Sequence, residues 1–135
     1  MNLKHLLLTF LAVAAMSSCK SQYETLLNSN DADAKYDAAF EYFTQGKYSK
    51  SAALFESLSV LTNGTERDDT VNYYWGLSNY RFKDYYTAEA NFDKFIESYP
   101  RSPFTSEARY LRHAVLTDGI GQFGQCGVVK MLTGL

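Results

Sequence analysis

Cysteine, histidine and proline each occur only twice in this 135-residue chain, and each scarcity closes off a class of explanation. Two cysteines, Cys19 and Cys126, do not make the framework of a disulfide scaffold, which takes several pairs. Two histidines, His5 and His113, do not make a zinc centre, because His113 with Cys126 falls short of a four-ligand set. No Ser/His/Asp arrangement survives either: His5 lies in a segment that reads as removable, and His113 has no evident nucleophile partner. The prolines, Pro100 and Pro103, stand together and leave the rest of the chain without the strongest helix breaker. Polar/apolar alternation of useful length is missing, which argues against a sheet. A net charge of −2 supplies no basic field for nucleic acid. Acidic residues do crowd the span from Asp31 to Asp69, and a solvated helical face accounts for them. The expectation is a binding protein, with no catalysed reaction, no cofactor and no metal.

What is present begins at the amino end. MNLKHLLLTFLAVAAMSSC opens with Lys4 and His5, runs apolar from Leu6 to Met16, and closes on small residues before Cys19. The run is too short for a permanent span and small side chains fit a peptidase site, so residues 1–18 read as a signal peptide. Met16-Ser17-Ser18-Cys19 resembles a bacterial lipobox, with Met16 in place of the favoured leucine. That makes Cys19 the lipidation site, the alternative being a secretory signal whose cysteine is incidental. Acyl chains at about 0.8 kcal/mol per buried methylene hold a protein on a membrane without a spanning helix. Residues 19–30 then read as the lipidated cysteine and a polar tether, reaching at most ~40 Å at about 3.5 Å per residue.

From Asp31 the pattern is helix, tight turn, helix, longer turn, and then the same again. Tyr36, Ala39, Phe40 and Phe43 share one face of a helix over 31–45, and Gly46 stands where a left-handed cap is wanted. Residues 48–61 form its antiparallel mate. Asp68 and Asp69 suit the start of a third helix, to Arg81. KDYYTAEANFDKFIESYP supplies the fourth, and Ser102-Pro103 opens a fifth. Tyr48, Ser51, Phe55 and Leu58 recur as Tyr85, Ala88, Phe92 and Phe95 at a step of 37 residues, and Tyr36 recurs at the same step as Tyr73 and Tyr110. Such a unit cannot bury its own apolar face, and stacked copies close the core.

Gly46-x-Tyr48-x-x-Ser51 with Phe55, and Trp75-Gly76 followed by Tyr85, Ala88, Phe92 and Pro100, resemble the tetratricopeptide repeat, whose period of about 34 is lengthened here in the turn between copies. The fold class expected is all-α, a tetratricopeptide-like helical repeat (α-solenoid) of about two and a half helix pairs over residues 31–116, after a lipoprotein signal peptide. The lipobox together with FIESYPRSPFTSEARYLR narrows the likeness. Over residues 16–112 the chain resembles the amino-terminal half of the BamD-type outer-membrane assembly lipoprotein family. The resemblance implies an acylated, periplasm-facing scaffold on the outer membrane, part of the machinery (BAM) that assembles β-barrel proteins. The implied partners are the barrel-inserting subunit, unfolded outer-membrane protein precursors, and membrane lipid through acylated Cys19. A general periplasmic repeat scaffold for another envelope or secretion complex is the alternative.

After Arg112 the repeat decays. His113 takes the place of Ala39 and Gly76, and residues 117–135 hold five of the eight glycines with no repeat signature. That tail is expected to be disordered or aberrant, as in a truncated or frame-shifted reading of a longer gene or an unusual short variant; since the resemblance implies that later repeats make most contacts to the barrel-inserting subunit, that partner stays open. Gly119-x-Gly121-x-x-Gly124 has the form of a dinucleotide fingerprint, yet too little chain follows for the strand–helix–strand unit it requires. Arg101, Arg109 and Arg112 form a local basic cluster, for an acidic partner or for solvent. Asn63-Gly64-Thr65 is a turn. The candidate peptide-binding groove consists of Tyr36, Phe43, Tyr73, Tyr80 and Tyr110, rings on the leading helices whose hydroxyls suit an extended polypeptide. The competing reading packs these rings between repeats. Trp75, Phe55, Phe92 and Phe95 are assigned to core.

Overall fold

The computed structural model describes residues 22–133, with side chains as far as residue 119. Every regular element among them is a helix: α1 (22–27), α2 (Ala32–Thr44), α3 (Tyr48–Leu61), α4 (Asp68–Phe82), α5 (Tyr85–Ser98) and α6 (Thr105–Thr133). Consecutive helices from α2 to α6 pack on one another, and α4 also touches α6. The fold is the expected tetratricopeptide-like helical repeat.

Local chemistry sets the boundaries. Asp31 caps α2 by accepting a hydrogen bond from the Ala34 N–H at 3.0 Å, and Asp84 caps α5 by accepting from the Thr87 N–H at 3.1 Å. The α2–α3 turn closes with the Lys47 N–H on the Tyr42 carbonyl (2.8 Å), and the α4–α5 turn with the Asp84 N–H on the Asn79 carbonyl (3.0 Å). These pairs lie 37 residues apart, so the two repeats end their first helices in the same six-residue wrap. Gly46 provides the left-handed residue in the first (φ 73°) and Lys83 in the second (φ 68°).

Two cores are strung along the stack. Ala39, Leu54, Phe55, Leu58 and Val71 form one. Tyr73, Leu77, Ala88, Phe92, Phe95, Ala108, Leu111 and Val115 form the other. Helix α4 therefore serves both, giving Val71 to one side and Tyr73 and Leu77 to the other, which is why eight of its residues are buried. Small residues sit where helices cross: a Cβ on Gly76 would lie 3.0 Å from the Phe92 ring and 3.2 Å from Asn91 Cβ. Ser51, which stands where the repeat usually has alanine, is fully buried and donates to the Ala39 carbonyl at 2.9 Å, with Ser78 Oγ at 3.2 Å. Lys35 is buried as well, its Nζ 2.5 Å from Ser57 Oγ. Desolvation pushes its ammonium below the ordinary lysine value.

Several expectations change. The stretch expected as an extended tether is helical over 22–27, and Tyr23, Leu26 and Leu27 pack against the first core. Three apolar side chains on one turn bury more than a free linker can forgo. The glycine-rich stretch expected as a disordered tail continues α6 to Thr133; with no proline beyond Pro103, the local hydrogen-bond ladder is not interrupted. Helix α6 begins at Thr105, just after Ser102-Pro103; Ser102 Oγ accepts from the Phe104 N–H at 3.3 Å and donates to Asp69 Oδ2 at 2.7 Å. His113 crowds nothing: it is exposed, because no described helix crosses α6 where α3 crosses α2 at Ala39. Residues 1–21, including the segment read as a leader, Cys19 and His5, lie outside the described residues.

Candidate functional site

The five rings proposed for a groove occupy two repeat positions seven residues apart, but the structure separates them. Tyr73 is in the core at 2 % exposure, Tyr110 stands out at 72 %, and Tyr36, Phe43 and Tyr80 are half-buried. The cause is what comes next in the stack. Tyr73 stacks nearly parallel on Phe104, ring centroids 4.6 Å apart and planes 10° from one another. At the equivalent place in the first repeat the Arg67 guanidinium lies over the Tyr36 ring at 4.8 Å, and Arg67 and Phe104 are again 37 positions apart. An aromatic lid seals Tyr73, and a charged one leaves Tyr36 partly open. Arg67 is held by a 2.6 Å ion pair to Asp33. Tyr73 therefore leaves the groove and joins the core.

Burial raises the phenol of Tyr73 well above the ordinary tyrosine value, with the nearby Glu107 carboxylate adding to it. Tyr80 is raised chiefly because it donates to Asp118 Oδ2 at 2.9 Å, tying α4 to α6. Burial raises Tyr36 too, and Arg67 partly offsets it. None of the three is poised to ionise near neutral pH.

The ring that the repeat pattern missed is Tyr74. It is half-buried and meets Phe40 (4.6 Å between centroids), Phe43 (5.3 Å), Phe55 (5.8 Å), Tyr73 (5.3 Å) and Phe104 (6.2 Å). Tyr36 extends the row through Phe40 at 4.8 Å. A continuous aromatic shelf thus runs from α2 across α4 to the start of α6, made of Tyr36, Phe40, Phe43, Tyr74 and Phe104. Asp37 and Leu111 hold the place of Tyr74 in the neighbouring copies, so comparison between copies passes it over. Partly open rings with Tyr hydroxyls offer apolar area and a polar tip to an extended chain.

Other candidates resolve simply. The arginine cluster is dispersed: Arg112 pairs with Asp93 on α5, Arg101 sits in the α5–α6 turn, and Arg109 projects from α6. Gly119, Gly121 and Gly124 lie within the backbone of α6, not in a loop after a strand. Asn63-Gly64-Thr65 is a turn with Gly64 at φ 76°, its N–H donating to Asp68 Oδ2 at 2.8 Å. Trp75 is half-buried: it packs against the first core and also lines a cleft of about 320 Å³ with Ala52, Asn79 and Phe82. Among the described residues there is no cluster of metal-ligating side chains, and no helix is long and apolar enough to cross a membrane.

Comparison with known proteins agrees with this architecture. The family model YfiO, outer membrane lipoprotein, matches residues 27–125. The match runs past Arg112 into the stretch expected to be aberrant, so the family signature is not confined to the span read as an amino-terminal half. No curated protein matches the chain.

Proposed function

Because the chain belongs to the YfiO family of outer membrane lipoproteins, we propose that it is a lipid-anchored scaffold of the β-barrel assembly machinery, facing the periplasm and binding unfolded outer-membrane protein precursors and partner subunits. Cys19 carries the lipid in this reading, and the chain catalyses no reaction. The observation that carries the proposal is the family match over 27–125 on a helical stack whose aromatic shelf stays partly open. Phe40, Phe43 and Tyr74 would take apolar side chains of an extended precursor, while the Tyr36 and Tyr74 hydroxyls meet its backbone.

Two measurements test this. Affinity capture with the full-length protein from membranes of its native host should recover the barrel-inserting subunit; reproducible recovery of a different envelope complex without that subunit would favour the general-scaffold reading. The intact mass of the membrane-extracted chain should show the leader removed before Cys19 and acyl groups in its place. Cys19→Ser should leave the fold's melting temperature unchanged and release the protein from membranes at high salt. Continued tight association of that variant would refute the anchor.

A further inference from the structure

The turn ends of the two repeats gather an unbalanced patch of positive charge. Lys47 and Lys50 at the start of α3 meet Arg81 and Lys83 at the end of α4 around an open cleft of about 510 Å³, whose floor is mostly apolar and includes Tyr48 and Phe82. All four cations are exposed, and none has a carboxylate within 4.0 Å among the described residues, where the ion pairs are Arg67–Asp33 and Arg112–Asp93. The adjacent Asp84 carboxylate is turned to the start of α5, where it accepts from the Thr87 N–H and hydroxyl, and four cations still outnumber it. Helix α3 begins here without a side-chain cap, so its first-turn N–H groups add positive potential. An exposed ring lies among the cations, Phe82 at 55 %.

Two further observations say what this corner faces. Lys83 keeps the left-handed backbone that Gly46 adopts 37 residues earlier, a conformation that an L side chain holds at a cost and glycine does not. A cation stands where glycine would carry less backbone strain. The second observation is the route of the chain. Tyr23 of α1 packs edge-on to Tyr42 at 5.5 Å, lies under Lys50 Nζ at 4.9 Å, and donates to the Lys50 carbonyl at 3.3 Å. Cys19 precedes Tyr23 by four residues, a span of at most ~14 Å at about 3.5 Å per residue. An acylated Cys19 therefore holds the bilayer surface within reach of this corner.

We propose that the Lys47–Lys50–Arg81–Lys83 corner is a second membrane contact, which seats on the phosphates of anionic lipid headgroups while Phe82 enters the interfacial layer. The proposal rests on the Cys19 anchor for its geometry and adds orientation to it: one tethered point leaves the scaffold free to swivel, whereas a tether and a charged corner fix which face of the stack looks away from the membrane. The aromatic shelf would then be held at a set attitude to arriving precursors. Anchoring through one lipid-modified end plus a cluster of basic residues is a general two-signal logic for membrane attachment.

The test uses the mature chain made without the leader and carrying Cys19→Ser, which keeps every described residue and removes the acyl contribution. It should co-sediment with vesicles containing phosphatidylglycerol and not with pure phosphatidylcholine vesicles, and high salt should release it. Removing two cations with Arg81→Gln and Lys83→Asn, asparagine being tolerated in the left-handed region, should weaken binding about 25-fold, at roughly fivefold for each cation near an anionic surface, with the melting temperature preserved. Absence of binding to the anionic vesicles, equal binding to both vesicle types, or equal binding by the double variant would each overturn the proposal. So would release of the protein by inorganic phosphate at constant ionic strength, which would mark a site for a free anion. A failed anchor shows separately, as missing acyl mass on the native chain.

Discussion

Tyr73→Ala discriminates most sharply between a ring that binds and a ring that holds the stack together. Tyr73 is 2 % exposed, stacks on Phe104 at 4.6 Å and meets Phe95 at 5.8 Å and Phe92 at 6.5 Å. Removing such a ring takes on the order of 100 Å² or more of apolar area out of the core, about 3 kcal/mol at roughly 25 cal/mol per Å². The cavity left behind and the lost stacking add to this, and buried aromatic-to-alanine changes cost about 3–5 kcal/mol. Against a total stability of about 5–15 kcal/mol for a domain, that is a large share. The melting temperature should fall by about 12–40 °C, at roughly 4–8 °C per kcal/mol for a domain of this size. Urea unfolding followed by far-ultraviolet circular dichroism should show the midpoint moved with the slope unchanged. Tyr110→Ala is the control, since a ring 72 % exposed should cost less than about 0.5 kcal/mol. A fall of only a few degrees for Tyr73→Ala, accompanied by loss of precursor capture, would refute the core assignment and return Tyr73 to the groove.

Gly76→Ala should destabilise by about 1 kcal/mol in the same urea assay: helix propensity gains about 1 kcal/mol, but a methyl 3.0 Å from the Phe92 ring and 3.2 Å from Asn91 Cβ costs about 1–3 kcal/mol. A clear gain in stability would mean the α4–α5 crossing is looser than described. Lys83→Gly should raise the melting temperature slightly, because relief of the left-handed strain, about 1–2 kcal/mol, exceeds the lost attraction to the α4 carboxyl end and the entropy of glycine; a lower melting temperature would refute the strain argument. Alkali should unfold the chain through its tyrosines. Burial, with help from Asp68, pushes Tyr99 up to about 12 from an ordinary 10.0. A raised phenol contributes stability that is complete below pH 10 and is lost between about pH 10 and 12, as the unfolded chain ionises first. Tyrosinate absorbance and circular dichroism should therefore change together in that window, and tyrosinate absorbance that reaches its plateau before any unfolding would show that the buried tyrosines are not held neutral by the fold.

Much of this molecule was legible before any coordinate. The limits of α3 and α5 follow from the spacing of Tyr48, Phe55 and Leu58 and of Tyr85, Phe92 and Phe95, because a helix buries what recurs every three or four residues. The 37-residue step identified the stack, since units with one apolar face must bury it on a neighbour. It also placed Ala39 and Gly76 at the crossings. These are local or repeating properties, and a linear code carries them.

Tertiary structure decided the rest. Tyr36, Tyr73 and Tyr110 are identical by spacing, yet one is half-open, one sealed and one exposed, because burial depends on whether Arg67, Phe104 or no described ring lies above each. Adjacent Tyr73 and Tyr74 differ by one position, about 100° around a helix of 3.6 residues per turn, so sequence could not choose which belonged to the shelf. The packing of Tyr23, Leu26 and Leu27 turned an expected tether into part of the fold. The basic corner joins Lys47 and Lys50 to Arg81 and Lys83 across more than 30 residues. None of these four stands out in a chain of net charge −2, and only the folding of two helical hairpins into the same orientation brings them to one end.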